Sequence, residues 1–116
     1  MRQYTNQEQT IKLVELGFKK PDGLEFLVRE QDNPDNAQIV QRMAYSIGEL
    51  IEMLPPKIEA EMEDESDDEY AWLSLEEGWD VLYRSGYYIV ERISHSKELI
   101  DALFGMLVKL KEEGVI

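Results

Sequence analysis

The chain has 116 residues and a formal net charge of −13, with 12 Lys and Arg against 25 Asp and Glu, a hydrophobic fraction of 43% and no cysteine. That length suits one domain with a core of its own, and the missing cysteines exclude disulfide frameworks, thiolate metal sites and cysteine nucleophiles together. A surface of that sign repels phosphate backbones and anionic lipid, so direct nucleic-acid or membrane binding is not expected.

The opening residues, Met1 to Glu8, are polar and lack the apolar core of a signal peptide. No apolar run approaches the ~20 residues needed to span a bilayer, so the expectation is a soluble cytoplasmic protein. Thr5 and Glu8 stand at capping-box spacing and open a helix predicted over about 6–16. Ile11, Leu13, Val14 and Leu16 supply its apolar stripe, and Gly17 supplies a left-handed stop. Lys19-Lys20-Pro21-Asp22-Gly23 is turn chemistry. Leu24, Phe26 and Val28 then alternate with Glu25, Leu27 and Arg29, a strand pattern. The polar stretch from Gln31 to Asn36, with Pro34, reads as a loop.

Residues 37–45 are left unassigned, because helical spacing runs from Val40 to Leu54 while Gly48 weakens one continuous helix. Ser46 and Glu49 form a second capping-box pair, so a short helix is predicted over 47–54, ended by Pro55-Pro56. Ile58, Ala60 and Met62 alternate with Lys57, Glu59 and Glu61, the period of a strand with its carboxylates in water. Between Glu59 and Glu69 stand eight carboxylates and no Lys or Arg. From Glu63 to Glu69 the like charges repel each other and favour a mobile, extended loop.

Tyr70 to Leu75 and Trp79 to Tyr83 are aromatic-rich strands, with Glu77-Gly78 suggesting a tight hairpin. Arg84-Ser85-Gly86 turns the chain, and Tyr87 to Glu91 adds a third strand. Ser94 or Ser96 is expected to cap the last helix. Its face holds Leu99, Ile100, Leu103, Phe104, Leu107 and Leu110, Lys109 and Lys111 suit its C-terminal dipole, and Gly114 closes it. The whole reads as a single α+β domain over 1–116: an antiparallel sheet of about four or five strands, with helices packed on one side and a long C-terminal helix.

The run Tyr45-Ser46-Ile47-Gly48-Glu49-Leu50-Ile51-Glu52-Met53-Leu54-Pro55 resembles the Tyr-Ser-x-x-x-Leu-x-x-x-Leu-Pro element of small uncharacterised proteins of bacterial phages and mobile elements. Glu98-Leu99-Ile100-Asp101-Ala102-Leu103-Phe104 and the tail Glu113-Gly114-Val115-Ile116 resemble their closing helix. Thr5 to Pro21, with Glu15-Leu16-Gly17-Phe18, is similar to their opening helix, and Trp79-Asp80-Val81-Leu82-Tyr83 to their Trp-x-Val-x-Tyr strand. The resemblance implies a compact α+β fold and an accessory-gene setting. It implies no activity, cofactor or site residue, and the long acidic run is richer than the pattern.

Signals for catalysis are weak. Nucleophilic catalysis needs a base beside Ser, Thr or Cys. The sole histidine, His95, lies between Ser94 and Ser96 at an expected helix start, which a capping cluster or an exposed side chain explains. Metal binding would fall to carboxylates alone, and the acidic run lacks the spacing of a calcium loop. Gly78, Gly86, Gly105 and Gly114 are isolated, so no phosphate loop is formed. Catalytic, cofactor and metal residues are therefore expected to be none.

Two surfaces remain. One is aromatic and apolar: Trp72, Trp79, Tyr83, Tyr87 and Phe104, which are either core residues or contacts for a protein. Tyr70 shares a face with Trp72, as Val81 does with Trp79 and Tyr83. The last helix carries more apolar side chains than one core needs, a surplus for a homodimer or for enclosure by the sheet. The other surface is acidic: Glu63, Asp64, Glu65, Asp67, Asp68 and Glu69. The leading expectation is a non-enzymatic accessory protein acting on a protein partner, with a homodimer possible. The alternatives are an acidic decoy that mimics nucleic acid and occupies a basic protein, and, with no positive signal, a small carboxylate enzyme.

Overall fold

The computed structural model describes residues 1–29, 38–59, 68–85 and 89–116, and the side chains of these outside 24–41. Its elements run α1 (Gln7–Glu15), β1 (Leu24–Arg29), β2 (Gln38–Met43), α2 (Ile47–Met53), β3 (Lys57–Ile58), β4 (Glu69–Leu75), β5 (Trp79–Arg84), β6 (Val90–Ser96) and α3 (Leu99–Glu112). This is an α+β fold. Its strands form an antiparallel β1–β2 ribbon and a four-stranded sheet in the order β3-β4-β5-β6, each neighbouring pair antiparallel.

The first helix begins one residue later than the Thr5–Glu8 spacing suggests. Asn6 is the cap: its side chain accepts the Gln9 N–H at 2.8 Å, while the Gln9 side chain accepts the Asn6 N–H at 3.0 Å. Thr5 is instead fully buried and accepts the Tyr45 N–H at 3.0 Å. It also meets the Thr10 hydroxyl at 2.7 Å, and Thr10 in turn donates to the Asn6 carbonyl. The hydroxyl that looked like a cap therefore satisfies a buried backbone donor forty residues away in sequence. Gly17, at φ +96°, ends the helix as expected.

Within the unassigned stretch 37–45, Gln38–Met43 form β2, paired with β1 from Leu24↔Met43 to Arg29↔Gln38, while residue 37 lies outside the described residues. Val40 falls on the helical spacing of 40–54, but the strand wins because β1 supplies ladder partners to every residue from 38 to 43. The Ser46–Glu49 capping box forms as expected and α2 ends before Pro55. Glu49 has a further task, accepting the Asp22 N–H at 2.9 Å and so tying the preceding turn to the helix start. Gly23 sits in that joint: a Cβ there would lie 2.3 Å from the Ala44 carbonyl oxygen.

Two strands differ from expectation. β3 is described only over Lys57–Ile58; its continuation to Met62 lies outside the described residues, as do the loops expected at 31–36 and over 63–67 and the strand start at Tyr87. Glu69, expected in the acidic loop, opens β4. β6 runs on to Ser96, so Ser94 and His95 belong to a strand and Ser94 caps nothing. Glu98 is the α3 N-cap and makes no side-chain capping bond, although its N–H meets the Ser96 hydroxyl at 3.4 Å. Ser94 is used in packing: a Cβ on Gly105 would come within 2.6 Å of its Oγ, so the glycine lets α3 lie close on β6.

The core lies between this sheet and the helices. Leu99, Ile100, Ala102, Leu103, Met106, Leu107 and Leu110 of α3 are buried together with Leu13, Tyr45, Leu50, Leu54, Val81 and Tyr83. Phe104 and Val108, the apparent surplus of the last helix, are partly buried against the same cluster. Arg2 anchors the N-terminus to α3 through Asp101 at 2.5 Å, and Gln9 donates to the same carboxylate at 2.6 Å.

Candidate functional site

The two faces of the four-stranded sheet differ in what covers them. Strand residues alternate in direction. Val81 and Tyr83 are buried beneath α3 with Trp79 half-buried beside them, which fixes the inner face of β5. Asp80, Leu82 and Arg84 therefore point outward. Registry carries the assignment across the sheet in three rows. Lys57, Tyr70, Arg84 and Val90 make the first, Trp72, Leu82 and Ile93 the second, and Ser74, Asp80 and His95 the third. A bulge between Tyr83 and Arg84 brings Val90 rather than Glu91 into the first row.

No described helix covers this outer face. Tyr70 is 52% exposed, Trp72 51%, Val90 46% and Ile93 48%, while Leu82 between Trp72 and Ile93 is only 4% exposed. A central leucine walled by half-exposed aromatic and branched side chains is an apolar surface, as distinct from isolated exposed residues. Cations flank it. The Arg84 guanidinium lies 5.2 Å from the Trp72 ring centroid and the Lys57 ammonium 5.9 Å from that of Tyr70. At these distances each cation is attracted by the negative face of the ring beside it. Lys57 also meets Asp68 at 3.1 Å, and this bond raises its pKa above the ordinary lysine value.

At the opposite end of the face, His95 Nδ1 and Asp80 Oδ1 lie 2.5 Å apart. Ser74 completes the row, but Asp80 stands between it and the imidazole. A serine nucleophile needs the histidine in the middle, so this row does not assemble a relay. Among the described residues, no three His, Cys, Asp or Glu side chains converge as metal ligands.

The residues expected to form an interaction surface separate on folding. Trp72 is on the outer face. Tyr83 is not a surface residue: it is fully buried, and its hydroxyl donates to the Pro55 carbonyl at 2.7 Å. Burial pushes its pKa up to about 12, the Glu69 carboxylate adding to the shift and Arg92 opposing it. Trp79 and Phe104 pack against the core. Asp68 and Glu69 are engaged internally, Glu69 with Arg92 at 3.0 Å and Asp68 with Lys57. Arg92 also pairs with Glu113, joining the sheet to the end of α3. Tyr87, Glu63, Asp64, Glu65 and Asp67 lie outside the described residues.

Sequence reasoning missed Arg84, Leu82, Val90 and Ile93. β4 is apolar on both faces, with Leu73 and Leu75 on the α3 side also exposed, so its alternation names no buried side. The register with β5 settles the matter, because there Val81 and Tyr83 go inward and Asp80 and Arg84 do not.

Comparison of the chain with protein-family models, curated proteins and solved structures finds no match. No helix among the described residues is long and apolar enough to cross a membrane.

Proposed function

We propose that the chain is a non-enzymatic protein-interaction module whose binding surface is the outer face of β4, β5 and β6. The observation that carries this reading is the half-exposed cluster Tyr70, Trp72, Val90 and Ile93 around Leu82, on a face that no described helix covers. Aromatic side chains with an arginine beside them are the composition that protein interfaces prefer. The decoy reading needs a rigid array of free carboxylates; of the three described members of the acidic run, Glu59 is exposed, but Asp68 and Glu69 are each held by a cation of the same chain. An accessory role of phage or mobile-element type belongs to the proposal on the sequence resemblance alone. A cytoplasmic location belongs to it on the cysteine-free composition.

The test is a parallel capture from lysate with the wild type, Trp72→Asp, and a variant with the carboxylates of 63–69 replaced by Gln and Asn. A partner lost with Trp72→Asp and kept with the neutralised acidic segment supports the sheet face. The reverse pattern overturns it in favour of the acidic decoy.

A further inference from the structure

From the charge pattern of the face we infer that its occupant is a second copy of the same chain, stacked sheet on sheet about a two-fold axis that runs across the strands. The inference rests on the reading of that face as a protein-binding surface.

Along β5 the outer face reads Asp80, Leu82, Arg84, with an anion at one end, a nearly buried leucine at the centre and a cation at the other end. Arg84 and Asp80 are four residues apart on one strand, about 13 Å. Two isologous stacks are available to such a face. With the axis along the strands, like rows meet and the Arg84 side chains of the two protomers oppose each other. With the axis across the strands, the ends exchange: Arg84 of each protomer meets Asp80 of its partner, twice, and Leu82 lies over Leu82. Trp72 and Ile93 then meet their own counterparts across the apolar middle, and Tyr70 comes over Ser74. Aligned sheets pack about 30° from strict alignment. At the half-spacing of Arg84 from the axis, that rotation displaces the pair by a few ångströms, within the reach of an arginine.

The chain as a whole carries a charge of −13. Arg84 and Asp80 are the outward charges of β5, the strand at the middle of the face, and Lys57 at the rim is already paired with Asp68. A basic partner, although attracted to the molecule as a whole, would meet Arg84 beside Trp72. A second copy meets opposite charge at both ends.

The experiment is sedimentation equilibrium over a concentration series at physiological salt, on the wild type, Arg84→Asp, Asp80→Arg, the double variant and Trp72→Asp, with circular dichroism of each. A reversible wild-type dimer is expected. Each single charge variant should weaken it at least about tenfold, the loss of two opposed pairs, and the double variant, which restates both pairs in reverse, should recover most of the affinity. That recovery also answers any concern that Asp80→Arg fails to fold once its contact with His95 is lost. A dimer indifferent to all three charge variants overturns the proposed stack and points to pairing through another surface, such as the β6 edge. A monomeric wild type overturns the dimer. If that monomer still captures a different protein in a Trp72-dependent way, only the second copy is refuted; Trp72-dependent capture of a single-stranded nucleic acid refutes the protein-binding reading of the face as well. A dimer unaffected by Trp72→Asp refutes both.

Discussion

Replacing Tyr83 by phenylalanine should change the sign of its effect on stability between pH 10 and pH 12, a window set by the pKa of Tyr83 in the folded and unfolded states. Folded Tyr83 titrates at about 12 because burial, and then the Glu69 carboxylate, disfavour the phenolate. In the unfolded chain the group titrates near 10, about two units lower. A folded pKa raised above the unfolded one gives a contribution fully present below pH 10 and lost as the pH rises through 12. At about 1.36 kcal/mol per unit the complete loss is about 2.7 kcal/mol, with half of it gone at about pH 11. At neutral pH the phenylalanine variant lacks the bond to the Pro55 carbonyl, 2.7 Å in the wild type, and is less stable by about 1 kcal/mol.

The two stabilities should therefore cross slightly below pH 11, with the variant the more stable by about 1.5 kcal/mol above pH 12. The assay is urea unfolding at stepped pH, followed by far-UV circular dichroism because tyrosinate quenches tryptophan emission. The other tyrosines and the lysines titrate in both proteins and cancel in the difference. A difference that stays constant from pH 9 to pH 12 would refute the assignment of a buried, protonated phenol at Tyr83.

Three further substitutions test the joints of the fold by urea denaturation at neutral pH. Gly23→Ala places a Cβ 2.3 Å from a backbone carbonyl that cannot rotate away, and should cost about 1–3 kcal/mol; a neutral result would mean that the 22–24 turn opens freely. Thr5→Val keeps the shape but leaves the buried Tyr45 N–H without its acceptor, a loss of about 1–3 kcal/mol, whereas Glu8→Ala, the partner expected from the sequence, should change little. Glu49→Ala withdraws acceptors from the Ser46 and Asp22 amides together, so it should cost more than the roughly 1 kcal/mol of Ser46→Ala; equal losses would remove the proposed tie to the turn.

Local chemistry made some elements legible and tertiary partners hid others. The second capping box, the stop at Gly17 and the broad apolar face of α3 each depend on residues a few positions apart, and all three appear where the spacing places them. Thr5–Glu8 misled because Asn6–Gln9 offers the same spacing one residue on, and the fold needed the Thr5 hydroxyl at Tyr45 instead. Residues 38–43 carry a helical period but form a strand, since pairing with β1 is a non-local fact. The site was half legible. The aromatic cluster was visible, and Tyr70 and Trp72 were placed together. Which cluster faces out depends on the α3 contact with β5 and on the bulge before Arg84, neither of which leaves a local signature.

The high negative charge tests the occupant of the face through salt. Two stacked sheets lie about 10 Å apart, so two such protomers have centres about 20 Å apart. Treated as point charges of −13, they repel by about 20 kcal/mol at 0.01 M salt and by about 3 kcal/mol at 0.15 M, where the screening length has shortened from about 30 to 8 Å. Four half-exposed apolar side chains on each protomer supply about 8 kcal/mol when covered, before the cost of association. The repulsion wins at low salt and loses at physiological salt, so the self-associated form should tighten as salt is raised, even though its two Arg84–Asp80 pairs are individually weakened. A basic partner obeys the opposite rule, because its attraction to the same −13 charge is what salt removes. Sedimentation at about 0.01, 0.15 and 0.5 M salt, where the separation of about 20 Å spans roughly 0.7, 2.5 and 5 screening lengths, therefore separates the two occupants by the sign of the slope. A dimer strongest at the lowest salt would refute the stacked arrangement, since no apolar face of this size could hold two such charges together unscreened.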